Sequence, residues 1–219
     1  ANLSLVDRIY LLETAFVIHV LRSMGMQSAR IGSDCNQLSG VGFLWAFSAP
    51  EEDREAIKRV SHHSVKATET MIYTAIRKAD LEHAEARKTF DGLRKDADKS
   101  YGGKLFLKLG KRIGLIIPRR GAGERFVLNE QILRFLVTTI VPLGGRLTFD
   151  TFKERAAARF GMVFDADGLA RSAGLSGYGE GVHLPADTDY WLQDMLKAAG
   201  LLLQLSDSCS MVINPNGHK

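Results

Sequence analysis

The residues of this 219-residue chain best suited to bind a ligand are seven cations in one short segment. They are Lys104, Lys108, Lys111, Arg112, Arg119, Arg120 and Arg125, and Glu124 is the single acid among them. Elsewhere the charges balance: three of each sign in residues 1–50, eleven of each in 51–99, eight basic against ten acidic in 126–219. The net charge of +4 therefore originates in this strip. Closely spaced Lys and Arg suit the regular anion ladder of a nucleic-acid backbone, which they read as charge rather than as sequence. Pro118-Arg119-Arg120-Gly121-Ala122-Gly123 has the composition of a tight turn, and this puts two arginines at a hairpin tip. Such a tip can enter a minor groove or grip a backbone. Tyr101 and Phe106 offer rings for base stacking, or else fill core. The competing reading of the strip is a solvated hairpin whose arginine stems cover apolar surface.

Catalytic chemistry has less support. Arg77 and His83 look like the Arg–His signature of HEPN-type ribonucleases. That resemblance implies that the pair acts on an RNA 2′-hydroxyl and the scissile phosphate. The two are six positions apart, which puts them on different faces of a straight helix. His62-His63 has no carboxylate or cysteine at metal-ligand spacing and reads as a solvent-exposed pair at a helix break. Asp165-Ala166-Asp167-Gly168 begins like a calcium loop, but Leu169, Ala170 and Arg171 fill the later ligand positions, so a turn is expected. Gly121-Ala122-Gly123 lacks the strand–GxxxxGK[ST]–helix context of a phosphate loop. The chain has no Gly-x-Ser-x-Gly elbow, no HExxH and no paired catalytic carboxylates. The expectation is a protein that is not an enzyme and has no cofactor and no metal.

Composition agrees with a folded binding protein. Apolar residues make up 45%, enough for a core. Cys35 and Cys209 form neither a disulfide framework nor a metal pair, which suits a reducing cytoplasm. No secretory signal is legible. The most apolar run, Ala15 to Leu21, is broken by His19 and reads as too short and too polar to span a bilayer.

The elements that must carry these residues follow from periodicity. Ser4 and Asp7 start a helix to about Met24, with Leu5, Ile9, Leu12, Phe16 and Val20 as its apolar face and Gly25 as its stop. Val41 to Phe47 is a strand or a buried helical turn. Ser48-Ala49-Pro50-Glu51 opens a second helix. It runs to about Asp98, with a break at Ser61–Ser64 and a face of Ile57, Val60, Ala67, Met71, Ala75 and Ile76. Leu105–Leu109, Ile113–Ile117 and Phe126–Leu128 read as short strands. Asn129 then caps a helix with Leu128 stapled onto Leu133. Its apolar face is Ile132, Leu133, Leu136, Val137 and Ile140. Pro142, Gly144 and Gly145 end it, and a strand spans Arg146–Phe149. Phe149, Phe152, Ala156 and Phe160 make the next helix, closed by Gly161. In the last helix Trp191, Leu192, Met195, Leu196 and Ala199 share a face. Gly200 follows, and then a hairpin of Leu201–Leu205 and Cys209–Ile213 turns at Ser206-Asp207-Ser208.

This order, over about 128–215, resembles the winged helix-turn-helix superfamily, whose members bind DNA or dock proteins. No particular family within it is indicated. Three features depart from the pattern: the long insertion Asp165–Thr188, the acid at the wing tip, and Asp189 and Asp194 on the final helix beside Gln193 and Lys197. The expected fold class is α+β and mainly helical. A helical part, 1–100, precedes a basic hairpin and a winged-helix domain, 101–219. The expected function is non-enzymatic nucleic-acid binding, to duplex DNA first, in a cytoplasm and away from membranes. The alternative is a protein-docking subunit of a larger bacterial-type assembly, with a partner or a second copy held through the 51–98 helix. A HEPN-like ribonuclease is the third reading.

Overall fold

Trp45 sits at the centre of the fold, fully buried, with its ring 4.8 Å from Phe43, 5.8 Å from Phe106 and 5.4 Å from Phe126. The computed structural model describes residues 4–32, 41–78, 92, 95–98, 103–172, 189–206 and 209–216. In chain order the elements there are α1 (Leu5–Gly32), β1 (Trp45–Ser48), α2 (Glu55–Lys78), α3 (Gly103–Arg112), β2 (Ile116–Ile117), β3 (Arg125–Val127) and α4 (Glu130–Ile140). They continue with β4 (Arg146–Thr148), α5 (Phe149–Phe160), β5 (Met162–Val163), α6 (Ala166–Ser172), α7 (Tyr190–Ala198), β6 (Leu202–Ser206) and β7 (Cys209–Ile213). The protein is α+β and mainly helical.

One sheet has the order β2-β3-β1-β5, with β1 parallel to both β3 and β5 and β2 antiparallel to β3. Strand β1 is buried along its whole length, as a strand flanked on both sides must be, and its sequence Trp-Ala-Phe-Ser is almost wholly apolar. The second sheet, β4-β7-β6, is antiparallel. A single cluster of buried side chains joins Ile18 and Leu21 of α1 to Phe126, Leu133, Phe152, Leu192 and Val212.

Helix α1 starts as its sequence suggests: the Asp7 amide donates to Ser4 Oγ (3.1 Å), and the Ser4 hydroxyl donates to Asp7 Oδ2 (2.7 Å). Its length and facing differ from expectation. Gly25 does not stop the helix; it is a contact point, where a Cβ would lie 2.9 Å from the Phe43 ring. The buried face is Thr14, Ile18, Leu21, Gly25, Ser28 and Ala29. The expected apolar face points outward: Leu5, Ile9, Leu12 and Phe16 are 73%, 56%, 69% and 77% exposed. Helix α1 has 28 residues and contains an 18-residue stretch of mean hydropathy 1.3, so it is long and apolar enough to cross a membrane, although one face packs on the protein.

Helix α2 begins at Glu55 rather than at Ser48, because Ser48 belongs to β1 and donates to the Phe126 carbonyl. The buried Glu52 carboxylate, bound by the Arg54 amide and guanidinium, leads into it. No break occurs at Ser61–Ser64. Both serines are buried and fasten the helix to the sheet. Ser61 Oγ donates to the Phe126 carbonyl (3.0 Å) and accepts from its amide (2.8 Å), and Ser64 Oγ does the same with Leu44 (3.1 Å) and Ala46 (2.9 Å). The described helix ends at Lys78; the expected stretch 79–91 lies outside the described residues.

Residues 105–109 form helix, not strand. Phe106 packs on Trp45 and Phe126, and Gly103, Phe106 and Gly110 form one buried face. Gly114, at φ +72°, ends this helix: its amide bonds to the Lys111 carbonyl (3.3 Å) and the Leu115 amide to the Gly110 carbonyl (2.9 Å). Strands β2 and β3 then form the expected hairpin. Asn129 caps α4 by accepting from the Ile132 amide (2.8 Å). Leu192 and Leu196 are the buried residues of α7.

Candidate nucleic-acid interface

With residues 103–112 helical, three of the strip's cations align. Lys104, Lys108 and Arg112 are four residues apart in turn and all exposed, so they form one stripe along α3. The opposite face is buried, so packing holds the stripe toward solvent. The turn at Gly114 leads directly from Arg112 into β2. The hairpin carries Arg119 and Arg120 at its exposed tip. No other described residue forms a hydrogen bond or ion pair with Lys104, Lys108, Arg112, Arg119 or Arg120.

The remaining two cations of the strip have structural partners. Lys111 Nζ donates to Glu124 Oε1 at 3.0 Å. Burial works to raise the Glu124 carboxyl pKa, but hydrogen bonding and the Lys111 and Lys66 ammonium groups outweigh it and hold the group below its ordinary value. Arg125 donates to Ser48 Oγ and to the carbonyls of Ala49 and Pro50, both at 2.7 Å. Burial lowers its pKa from the usual guanidinium value. Arg125 thus closes the loop after β1, and its fork faces the protein.

The structure places further side chains beside Lys104, at the start of the stripe. Thr70, Tyr73, Thr74, Arg77, Lys95, Asp98 and Lys104 line a surface groove of about 500 Å³. Arg77 donates to Asp98 Oδ2 (3.0 Å) and lies over the Tyr73 ring at 5.5 Å. Tyr73, half-buried, supplies a ring beside the basic stripe. Phe106 cannot, because it is fully buried; Tyr101 lies outside the described residues. Tyr73 was legible only as part of α2; nothing in its spacing signals that α3 would start against it, with Gly103 beside its ring.

The other sequence candidates resolve as scaffold where they are described. His62 is half-buried, its Nδ1 2.7 Å from the Glu124 carbonyl, while His63 is exposed. His83 and Cys35 lie outside the described residues, so Arg77 is placed without its expected partner. Gly121-Ala122-Gly123 joins two strands. Asp165 makes a turn: its Oδ1 accepts from the Gly168 amide (2.7 Å) and its Oδ2 from Lys153 (2.6 Å). Asp189 binds the same ammonium. Burial opposes the Lys153 charge, but the two carboxylates outweigh it and raise its pKa above the ordinary value. Among the described residues no group of three or more His, Cys, Asp or Glu is placed to hold a metal ion.

Comparisons with protein-family models, with curated proteins and with solved structures gave no match.

Proposed function

We propose that this chain is a non-enzymatic nucleic-acid-binding protein, with duplex DNA its foremost ligand. The observation that carries the reading is the set of five exposed cations without partners among the described residues, three as a stripe on α3 and two at the hairpin tip. They meet phosphates. The segment 128–215 serves as a winged helix. Its order α4-β4-α5, then α7-β6-β7, with β4 joining the hairpin in the sheet, supports this. The winged helix acts mainly as scaffold. The exposed face of α7 carries Asp194 with Lys197, so it adds little net charge. The test is affinity for a short duplex across a range of salt. Five phosphate contacts give a slope of roughly −4.5 in log K against log salt. Binding that is absent, or insensitive to salt, overturns the reading.

A docking role for the winged segment is the second reading, and one observation favours it. Strand β6 is an edge strand, with Leu203 and Leu205 43% and 56% exposed. An apolar edge suits a protein partner better than a phosphate backbone. Recovery of a stoichiometric partner that is lost in Leu203→Glu/Leu205→Glu, with no nucleic-acid shift, decides for it.

A further inference from the structure

Helix α1 presents a second surface, which the nucleic-acid reading does not use. Leu5, Ile9, Leu12 and Phe16 step by four, three and four residues along it and all point to solvent, as does Val6. A step that alternates three and four is the seam of a coiled coil, with Leu5 and Leu12 at d, Ile9 and Phe16 at a, and Val6 at e. The face buried against the protein, Thr14, Ile18, Leu21 and Gly25, takes the opposite positions. The seam therefore runs along the side of α1 farthest from its own body.

We propose that this seam is the interface of a homodimer, in which α1 packs in parallel and in register against α1 of a second copy. Three observations favour a second copy in this orientation. First, Leu at both d positions with β-branched Ile9 at the central a position favours two parallel strands, Phe16 taking the other a position. Second, the charges flanking the seam are self-complementary. Arg8 takes a g position and Glu13 the following e position, the pair that meets across a parallel dimer, once on each side of the axis. In the antiparallel arrangement that centres the same seam, Arg8 faces Ala15 and Glu13 faces Val6. Third, the area suffices. At the exposures found, the five side chains offer roughly 600 Å² per copy, about 1,200 Å² in all, the lower bound of a standard specific interface. Two heptads are too short for free peptides to pair. Here each helix is already folded on its own body, so pairing does not carry the cost of helix nucleation. A two-fold axis along the seam leaves the two bodies on opposite sides, clear of each other.

The experiment is sedimentation equilibrium of the full chain without nucleic acid, so its outcome is independent of the proposed function. The wild type is expected to show a concentration-dependent dimer, and Ile9→Glu and Leu12→Glu to weaken it at least tenfold with unchanged circular dichroism. Orientation is read in a Cys35→Ser/Cys209→Ser background carrying Ile9→Cys. A parallel, in-register pair brings the two new thiols together, and an added oxidant links them into a covalent dimer. Glu13→Arg weakens the dimer, and Arg8→Glu/Glu13→Arg restores it. A wild type that is monomeric at every concentration, or a dimer indifferent to Ile9→Glu, overturns the proposal. So does a monomer that pellets with phosphatidylcholine vesicles through the same residues, which assigns the seam to a lipid surface instead.

Discussion

The Lys111 ammonium sits 3.0 Å from the Glu124 carboxylate, tying the last turn of α3 to the return strand of the basic hairpin. This pair uses the strip's single acid and one of its cations, and both side chains are largely buried. It fixes the hairpin relative to the stripe without subtracting from the exposed charge.

The Glu124 carboxyl is held below its ordinary value of 4.5, so the unfolded chain binds its proton more readily than the folded one. Its stabilising contribution is present above about pH 4.5 and is lost as pH falls through the depressed folded value. Glu124→Gln is expected to lower stability at pH 7 by about 1 kcal/mol and to flatten the decline in acid. Urea midpoints for both proteins between pH 7 and pH 3 check this; parallel pH curves refute it.

The exposed and the engaged cations predict different phenotypes. Arg119→Ala/Arg120→Ala should reduce the salt slope of the proposed DNA binding by about 2 and leave thermal stability unchanged. Arg125→Ala should do the reverse. It leaves the Pro50 carbonyl without its donor and the Ala49 carbonyl with the Glu52 amide alone, and costs about 2 kcal/mol in stability, with the slope almost intact. Thermal melts beside binding isotherms separate the two classes.

Sequence alone made the hairpin, the Asn129 cap and the last helix legible, because each has a local signal: an arginine-tipped turn, a capping side chain, or an apolar face read at the right period. What failed did so for tertiary reasons. Leu105–Leu109 is a short, almost continuous apolar run that reads as a strand, yet burial of Phe106 on Trp45 and Phe126 selects helix. The outward stripe of α1 is more apolar than its buried face, which is lined by Thr14, Gly25 and Ser28, so hydrophobicity pointed to the wrong side. Small residues there let α1 approach its neighbours closely. The serines of α2 suggested a break, whereas they are its fastenings to the sheet.

Gly25→Ala tests that close approach. A Cβ would lie 2.9 Å from Phe43 Cδ1, and that ring is held by its contact with Trp45. Overpacking of this kind costs about 1–3 kcal/mol, although Ala is the better helix former. A chemical-denaturation midpoint equal to or above the wild type's would show that the ring moves freely.

Ser61 and Ser64 should behave alike for one reason: each hydroxyl satisfies a buried strand amide. Ser61→Ala orphans the Phe126 amide and Ser64→Ala the Ala46 amide, at about 1–3 kcal/mol each. The carbonyl of Phe126 keeps Ser48 as donor, so the loss at Ser61 is concentrated on the amide. Faster hydrogen exchange at Phe126 and Ala46, beside slower change at neighbouring amides, is the expected signature.

The Lys153 ammonium lies between Asp165, just before α6, and Asp189, just before α7, and ties the starts of these two helices together. Its raised pKa means the stabilisation is complete below the ordinary lysine value of 10.5 and is lost only as pH rises through the higher folded value, so neutral and mildly alkaline solutions should not weaken it. Lys153→Met removes the cation and leaves two partly buried carboxylates facing each other, a loss of about 3–5 kcal/mol. Lys153→Met/Asp165→Asn/Asp189→Asn should recover a large part of it, because the penalty is the stranded charge rather than the missing bond. Equal destabilisation of the single and triple variants would assign the role to the hydrogen bonds themselves.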